Sequence, residues 1–124
     1  MPEGSRQDTI AIEQNQPEPY SPSLLLVDGQ FGNSSSLISI VRENGMRAEV
    51  VSSAEEALTG LQQHYRDALL VDIPTTDMPA TQLIALTHNR HPFLPILVLA
   101  DKERMNEAIG ALNAGALHLL VQVA

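Results

Sequence analysis

Two apolar runs in this chain stop at a carboxylate: LLLVD ends at Asp28 and ALLVD ends at Asp72, while a third run, LHLLVQ, ends in the amide of Gln122. An aspartate that closes a fully apolar run has a short list of uses. It caps a strand end or opens a turn, it holds a hard divalent cation through oxygen, or it attacks phosphorus as a nucleophile. Two such carboxylates brought side by side make an oxygen-only site that suits magnesium, with a phosphate completing the coordination. Asp28 and Asp72 are therefore the first candidates for chemistry.

Whether they meet depends on the elements that carry them. The short apolar runs LLLV, VV at Val50 and Val51, ALLV, ILVLA and LHLLV alternate with longer amphipathic stretches, the pattern of a βαβ chain. Runs that are apolar at every position belong to strands buried on both faces, so the sheet is expected to be parallel and covered above and below by helices. Leu37, Ile38 and Val41 share a helical face behind Ser34, Ser35 and Ser36, and Gly45 follows as a left-handed cap. Ser53 and Glu56 match a capping box ahead of Ala57, Leu58 and Leu61. Pro79 opens a helix with Leu83, Ile84 and Leu86; Asp101 caps one with Met105, Ala108, Ile109 and Leu112, ending at Gly115. The expected α/β domain thus has five strands and four helices. Right-handed crossovers bring Asp28, Asp72, the Ala100–Asp101 pair and Gln122 to one edge of the sheet, where open α/β sheets bind ligands.

Composition narrows the function classes. The chain of 124 residues is 44% hydrophobic, enough for one globular core. With 7 basic against 15 acidic residues and a net charge of −8, it should repel nucleic acid and anionic membranes. Aromatics at 3% leave no stacking platform for bases, and zero cysteines exclude disulfides, thiolate metal sites and a cysteine nucleophile. No run is long enough to span a bilayer and the N-terminus has no secretory core, so the expected location is cytoplasmic. Residues 1–22, with Pro17, Pro19 and Pro22, read as a tail or linker, and residues 23–124 as the domain. His88 and His91 have the H-x-x-H spacing of a metal pair, but without a third nearby ligand they read as solvated residues of a helix end. The serines after Gly32 lack the lysine of a phosphate loop and read as helix caps.

From Ser23 onward the chain resembles the receiver domain of two-component response regulators. The resemblance rests on the order of elements, on Asp28 and Asp72, and on the Gly-Ala turn in LNAGALHLLV. It implies the flavodoxin-like strand order 2-1-3-4-5, with Asp28 as the first acid of the family's pair and Asp72 as the phosphoacceptor. It also implies a fifth helix for which the sequence offers no candidate. The family's second acid is replaced by Gly29, its Thr or Ser after the fourth strand by Ala100, and its Lys-Pro by Gln122–Val123. The Met-Pro that follows the acceptor in the family is displaced to Met78–Pro79.

Each replacement has a physical consequence. Two carboxylates in place of three weaken magnesium binding, so the cofactor is expected to be weak Mg or none. A missing preorganised cation costs about 2.7–4 kcal/mol in comparable electrostatic sites. Without a hydroxyl at Ala100, the usual link from phosphorylation to the following loop is gone. The expected protein is thus a degenerate receiver, not an enzyme, acting through protein contacts. Alternatives are a functioning receiver that takes a phosphoryl group on Asp72 from a sensor histidine kinase, and a small α/β protein that binds an anion or nucleotide. The expected partners are a sensor kinase or other signalling protein, a second copy, or a downstream output domain, with neither nucleic acid nor membrane contacted by this segment. Asp101, Met105 and Leu119 mark the face that receivers commonly use for partners. Because no fifth helix is in view, apolar side chains of the first and third strands are expected to lie bare unless something covers them.

Overall fold

A computed structural model describes residues 21–28 and 35–121. The strands are β1 (Ser23–Asp28), β2 (Arg47–Val51), β3 (Ala68–Asp72), β4 (Ile96–Ala100) and β5 (His118–Val121). The helices are α1 (Ser35–Glu43), α2 (Ala54–Gln63), α3 (Ala80–Arg90) and α4 (Met105–Ala114), the last entered through a 3-10 turn over Lys102–Arg104. All strand pairs are parallel, and the order is β2-β1-β3-β4-β5. The α/β class, the strand order and the four helices agree with the reading from sequence.

Punctuation explains where the helices stop. Gly45 takes φ 83°, and the N–H groups of Gly45 and Met46 close on Arg42 and Val41. Gly115 takes φ 132° and its N–H reaches Leu112 at 3.2 Å, which ends α4 as a glycine in the left-handed half of the map can. Ser53 caps α2 by accepting from the Glu56 N–H at 3.1 Å. The return arm of the capping box falls one residue early: the Glu56 carboxylate accepts from the N–H of Ser52 at 2.9 Å. Pro79 stands one position outside α3 as its N-cap, with no side-chain bond to give.

The sheet is covered unequally. Leu25, Val27, Leu69, Val71, Ile96, Val98 and Ala100 alternate onto one face, where they form the main core with residues of α2, α3 and α4. These include Ala54, Ala57 and Leu61, then Leu83 and Ile84, then Ala108 and Ala111. Because the chain moves outward from β1 to β2 and then reverses, right-handed crossovers place α1 on the other face. There Val41 is buried and α1 packs against β2.

Bare apolar surface on the first and third strands was expected only where nothing covers it. Leu26 and Leu70 are 3% and 7% exposed. Among the described strand residues, large apolar side chains are exposed on the outer strands, at Val50 of β2 and at Leu120 and Val121 of β5.

Two bonded clusters tie the opposite, N-terminal edge of the sheet. Arg47 donates its N–H to Pro22 at 2.8 Å and Ser21 bonds Gly45 at 2.5 Å, so the last two residues assigned to the tail are fastened to the domain. Residues 1–20 lie outside the described residues. Asp67 and Ser23 exchange two bonds of 2.7 Å, and buried Arg66 pairs with Glu49 of β2.

Candidate functional site

Asp28 and Asp72 meet. The Cα of Asp28 is in register with that of Asp72 at the C-terminal ends of β1 and β3, and both side chains are buried, with 6% and 2% of each residue exposed. Neighbouring parallel strands lie about 4.8 Å apart, so residues in register project side by side on the same face. The sequence puts them there because each closes an apolar run whose burial fixes the register: Leu24 pairs with Ala68, Leu26 with Leu70 and Val27 with Val71. A slip by one residue would send every side chain to the wrong face. Two carboxylates held this way repel each other unless positive charge lies between them, and their hard oxygens suit magnesium. Among the described residues no third carboxylate or histidine joins them into a group of three.

The fourth strand contributes no polar group. Leu99 stands in register with Asp72, and Ala100, one residue on, is fully buried in the main core. Alanine at this position carries no hydroxyl, so its side chain offers the site no donor. Asp101, expected at the edge of the crevice, is exposed, and its carboxylate is spent locally on the N–H of Arg104 at 3.1 Å. Gly29 and Gln122 fall outside the described residues.

The residues expected to form a partner face divide. Met105 and Leu119 are half-buried and pack against the main core, because β5 alternates and Leu119 points to the covered side. The apolar side chains that reach solvent nearby are Ile109, Leu117, Leu120 and Val121. Among the described residues His88 and His91 join no group of three metal-ligating side chains; His88 packs against Gly115, and the His91 N–H closes α3 on Thr87.

One residue at this end of the molecule is silent in the sequence. Asp77, in the segment after Asp72, accepts the N–H of Ala54 at 2.8 Å on Oδ1 and that of Glu55 at 2.9 Å on Oδ2. Slight burial raises its pKa, but the backbone N–H groups of Ala54, Glu55 and Asp77 itself outweigh that and leave the carboxyl below the usual range. No spacing rule finds such a cap, since its partners are backbone groups in a different helix. A concavity of about 390 Å³ between His64–Asp67 and His91–Pro95 opens at the N-terminal edge and shares no residue with the carboxylate pair.

A doubly wound parallel sheet with paired aspartates at its C-terminal edge defines a class, and sequence comparison supplies the family. The chain matches the response regulator receiver domain over residues 24–122 and belongs to that family. It is 24% identical over 99 residues to the transcriptional regulatory protein ZraR of Klebsiella oxytoca, covering 80% of this chain and 22% of that protein. It is 30% identical over 81 residues to the DNA-binding transcriptional regulator NtrC of Proteus hauseri, covering 65% and 17%. The chain therefore spans about a fifth of the length of these curated relatives. Among solved structures, a putative response regulator of Chloroflexus aurantiacus J-10-fl superposes with TM-score 0.76 at 27% identity, over 83% of this chain and 86% of that one. A CheY-like receiver domain protein of Methanospirillum hungatei JF-1 gives TM-score 0.76 at 23% identity, over 85% and 84%, and shares the fold. The chain is a receiver domain of two-component signalling, and receiver domains commonly bind Mg2+ at the phosphorylation site. Among the described residues no helix is long and apolar enough to cross a membrane.

Proposed function

We propose that this receiver has weak phosphoryl chemistry and that its output is a protein contact. One observation carries the reading. Asp72 is buried in register with Asp28, as an acceptor beside a metal ligand should be, while the neighbouring strand end offers only the methyl group of Ala100. The acceptor and one acid are in place; the hydroxyl is absent, and the sequence puts glycine at 29 and glutamine at 122 where the family has an acid and a lysine.

In the transfer itself, a carboxylate oxygen of Asp72 attacks phosphorus. The new O–P bond replaces the N–P bond of a phosphohistidine, and the freed imidazole takes up a proton. Asp28 and Asp72 are the residues that would hold Mg2+, which supplies positive charge against the phosphoryl oxygens when bound. Holding it with two carboxylates, the chain binds it weakly. A sensor kinase is the proposed donor, and a second copy or an output domain the proposed recipient of the signal. The segment over residues 96–115 together with β5 is the proposed contact face. With no hydroxyl at position 100, that face keeps one conformation. The domain acts as an interaction module and not as an enzyme. The sequence and the described structure favour a cytoplasmic site of action.

The test is intact mass after incubation with acetyl phosphate and Mg2+, comparing the parent with Asp72→Asn. Slow, partial labelling of the parent and none of the variant is the expected result. Rapid stoichiometric labelling would establish the functioning receiver instead, and equal labelling of both proteins would remove Asp72 as the acceptor.

A further inference from the structure

The segment that leaves Asp72 is fastened at both ends. Its first residue, Ile73, is 3% exposed and donates its N–H to Leu99 at 2.9 Å, extending the β3–β4 ladder one step past the acceptor. Thr75 then donates its hydroxyl to the carbonyl of Met78, and Met78 packs against the main core. Between these two, Thr76 Oγ1 reaches the carbonyl of Ser52 at 3.5 Å, and Asp77 receives the N–H groups of Ala54 and Glu55. An α-helix begins with N–H groups that its own backbone cannot satisfy. In α2 the Glu56 N–H is served by Ser53 and the Ala57 N–H by the Ser53 carbonyl. Those of Ala54 and Glu55 are served from the segment that follows the acceptor.

At the end of β4, Ala100 and Asp101 supply no comparable side-chain link to this segment. Ala100 has no hydroxyl and is sealed in the core, and Asp101 is turned to its own 3-10 turn. A change at the carboxylate pair therefore meets a braced path toward α2 and a bare methyl toward α4.

We propose that Asp77 is a positioning residue that couples the state of Asp72 to the N-terminus of α2, so that the surface following chemistry at the acceptor is the β2–α2 side. The inference rests on the receiver reading for its starting point, and it names the regulation of that site. Charge-assisted bonds from two backbone N–H groups to one carboxylate are short and directional, so a displacement of residues 73–77 is passed on and not absorbed. The carboxyl held below its usual range is in keeping with those two bonds.

The experiment is a double-mutant cycle read on backbone amides by nuclear magnetic resonance, using the full chain. Asp72→Asn changes the charge of the site without any phosphoryl group, so absent phosphorylation does not affect the readout; acceptor function is judged separately by intact mass. In the parent background, Asp72→Asn should shift the Ala54 and Glu55 signals more than those of residues 105–108. In the Asp77→Ala background that shift should be lost. Asp77→Asn, which keeps one oxygen acceptor, should restore part of it, and it serves as the readable variant if Asp77→Ala does not fold. Shifts at Ala54 and Glu55 that are the same with and without the Asp77 carboxylate would overturn the proposal. So would a response to Asp72→Asn confined to residues 100–108.

Discussion

Thr87 is the residue at which burial and bonding are most at odds. It is fully buried within α3, and among the described residues its hydroxyl has no hydrogen-bond partner. An unsatisfied buried hydroxyl costs about 1–3 kcal/mol, whereas an apolar group of the same shape costs nothing in desolvation. Thr87→Val is therefore expected to leave the fold unchanged and to raise stability by about 1 kcal/mol, measured by urea unfolding; a loss of similar size would mean that the hydroxyl is bonded after all. The acceptor pair invites the opposite kind of change. Gly29→Asp with Gln122→Lys restores the third negative charge and the cation that the sequence lacks. Tighter magnesium binding by titration and faster labelling of Asp72 are expected together. Unchanged affinity would show that these positions do not limit the site. Asp28 and Asp72 were legible in the sequence because a charge that ends an apolar run is conspicuous and burial fixes its register. Asp77 was not, because a carboxylate in a polar stretch looks like any solvated loop residue until the backbone N–H groups of Ala54 and Glu55 are brought to it.

At the scale of an element, α2 shows what that missed contact is worth. Losing a side-chain cap costs about 0.5–2 kcal/mol, and the exposure of Asp77 places its loss toward the lower end. The pH dependence follows from the sign of the shift. The folded carboxyl is depressed below its unfolded value, so its contribution is complete above the ordinary aspartate range near ~3.9 and is lost as pH falls through the depressed folded value. Subtracting the acid unfolding profile of Asp77→Ala from that of the parent should isolate a stabilisation present at neutral pH and gone in strong acid. A difference that grew on acidification would contradict the cap. The end of α4 makes a separate case. Gly115 at φ 132° has His88 Cγ 2.8 Å from the position a Cβ would take, so Gly115→Ala meets both backbone strain and a clash. A loss of more than about 1 kcal/mol is expected, only part of it recovered by adding His88→Ala, since that removes the ring but keeps the His88 Cβ position 2.9 Å away and leaves the φ penalty. Full recovery would mean that the backbone there tolerates a side chain. Helix boundaries were readable at Gly45, Ser53 and Gly115 because caps are local in sequence. The displaced arm of the α2 capping box and the 3-10 entry to α4 were not, because each is decided by how the preceding strand end meets the helix.

Across the whole molecule, the sheet divides the structure into a thick side and a thin one, and stability should follow that division. The alternation of apolar runs was enough to give the parallel sheet, since strands apolar at every position must be covered twice, while its order followed from the resemblance to receiver domains. How well each face is covered was not readable, because it depends on which elements the fold brings onto each face. Leu26 and Leu70 are buried, and the exposed apolar side chains of the strands lie on the outer ones, at Val50, Leu120 and Val121. Leu83, with no exposed surface, lies where α3 meets the central strands, and the helices on either side leave little room for collapse around a void. Leu83→Ala is expected to cost about 2–5 kcal/mol, the range for a leucine removed from a closely packed interior. Leu120 on β5 is 38% exposed, so it has already forgone much of its burial, and its edge position lets neighbours relax into the space. Leu120→Ala should cost under about 1 kcal/mol, since only part of the transfer free energy of a full leucine remains to be lost. Denaturant unfolding of the two variants at equal protein concentration decides the matter. Comparable losses would mean that the β5 edge is packed as tightly as the main core, and a loss for Leu120→Ala that grew on dilution of the parent would show that another copy of the chain covers that edge.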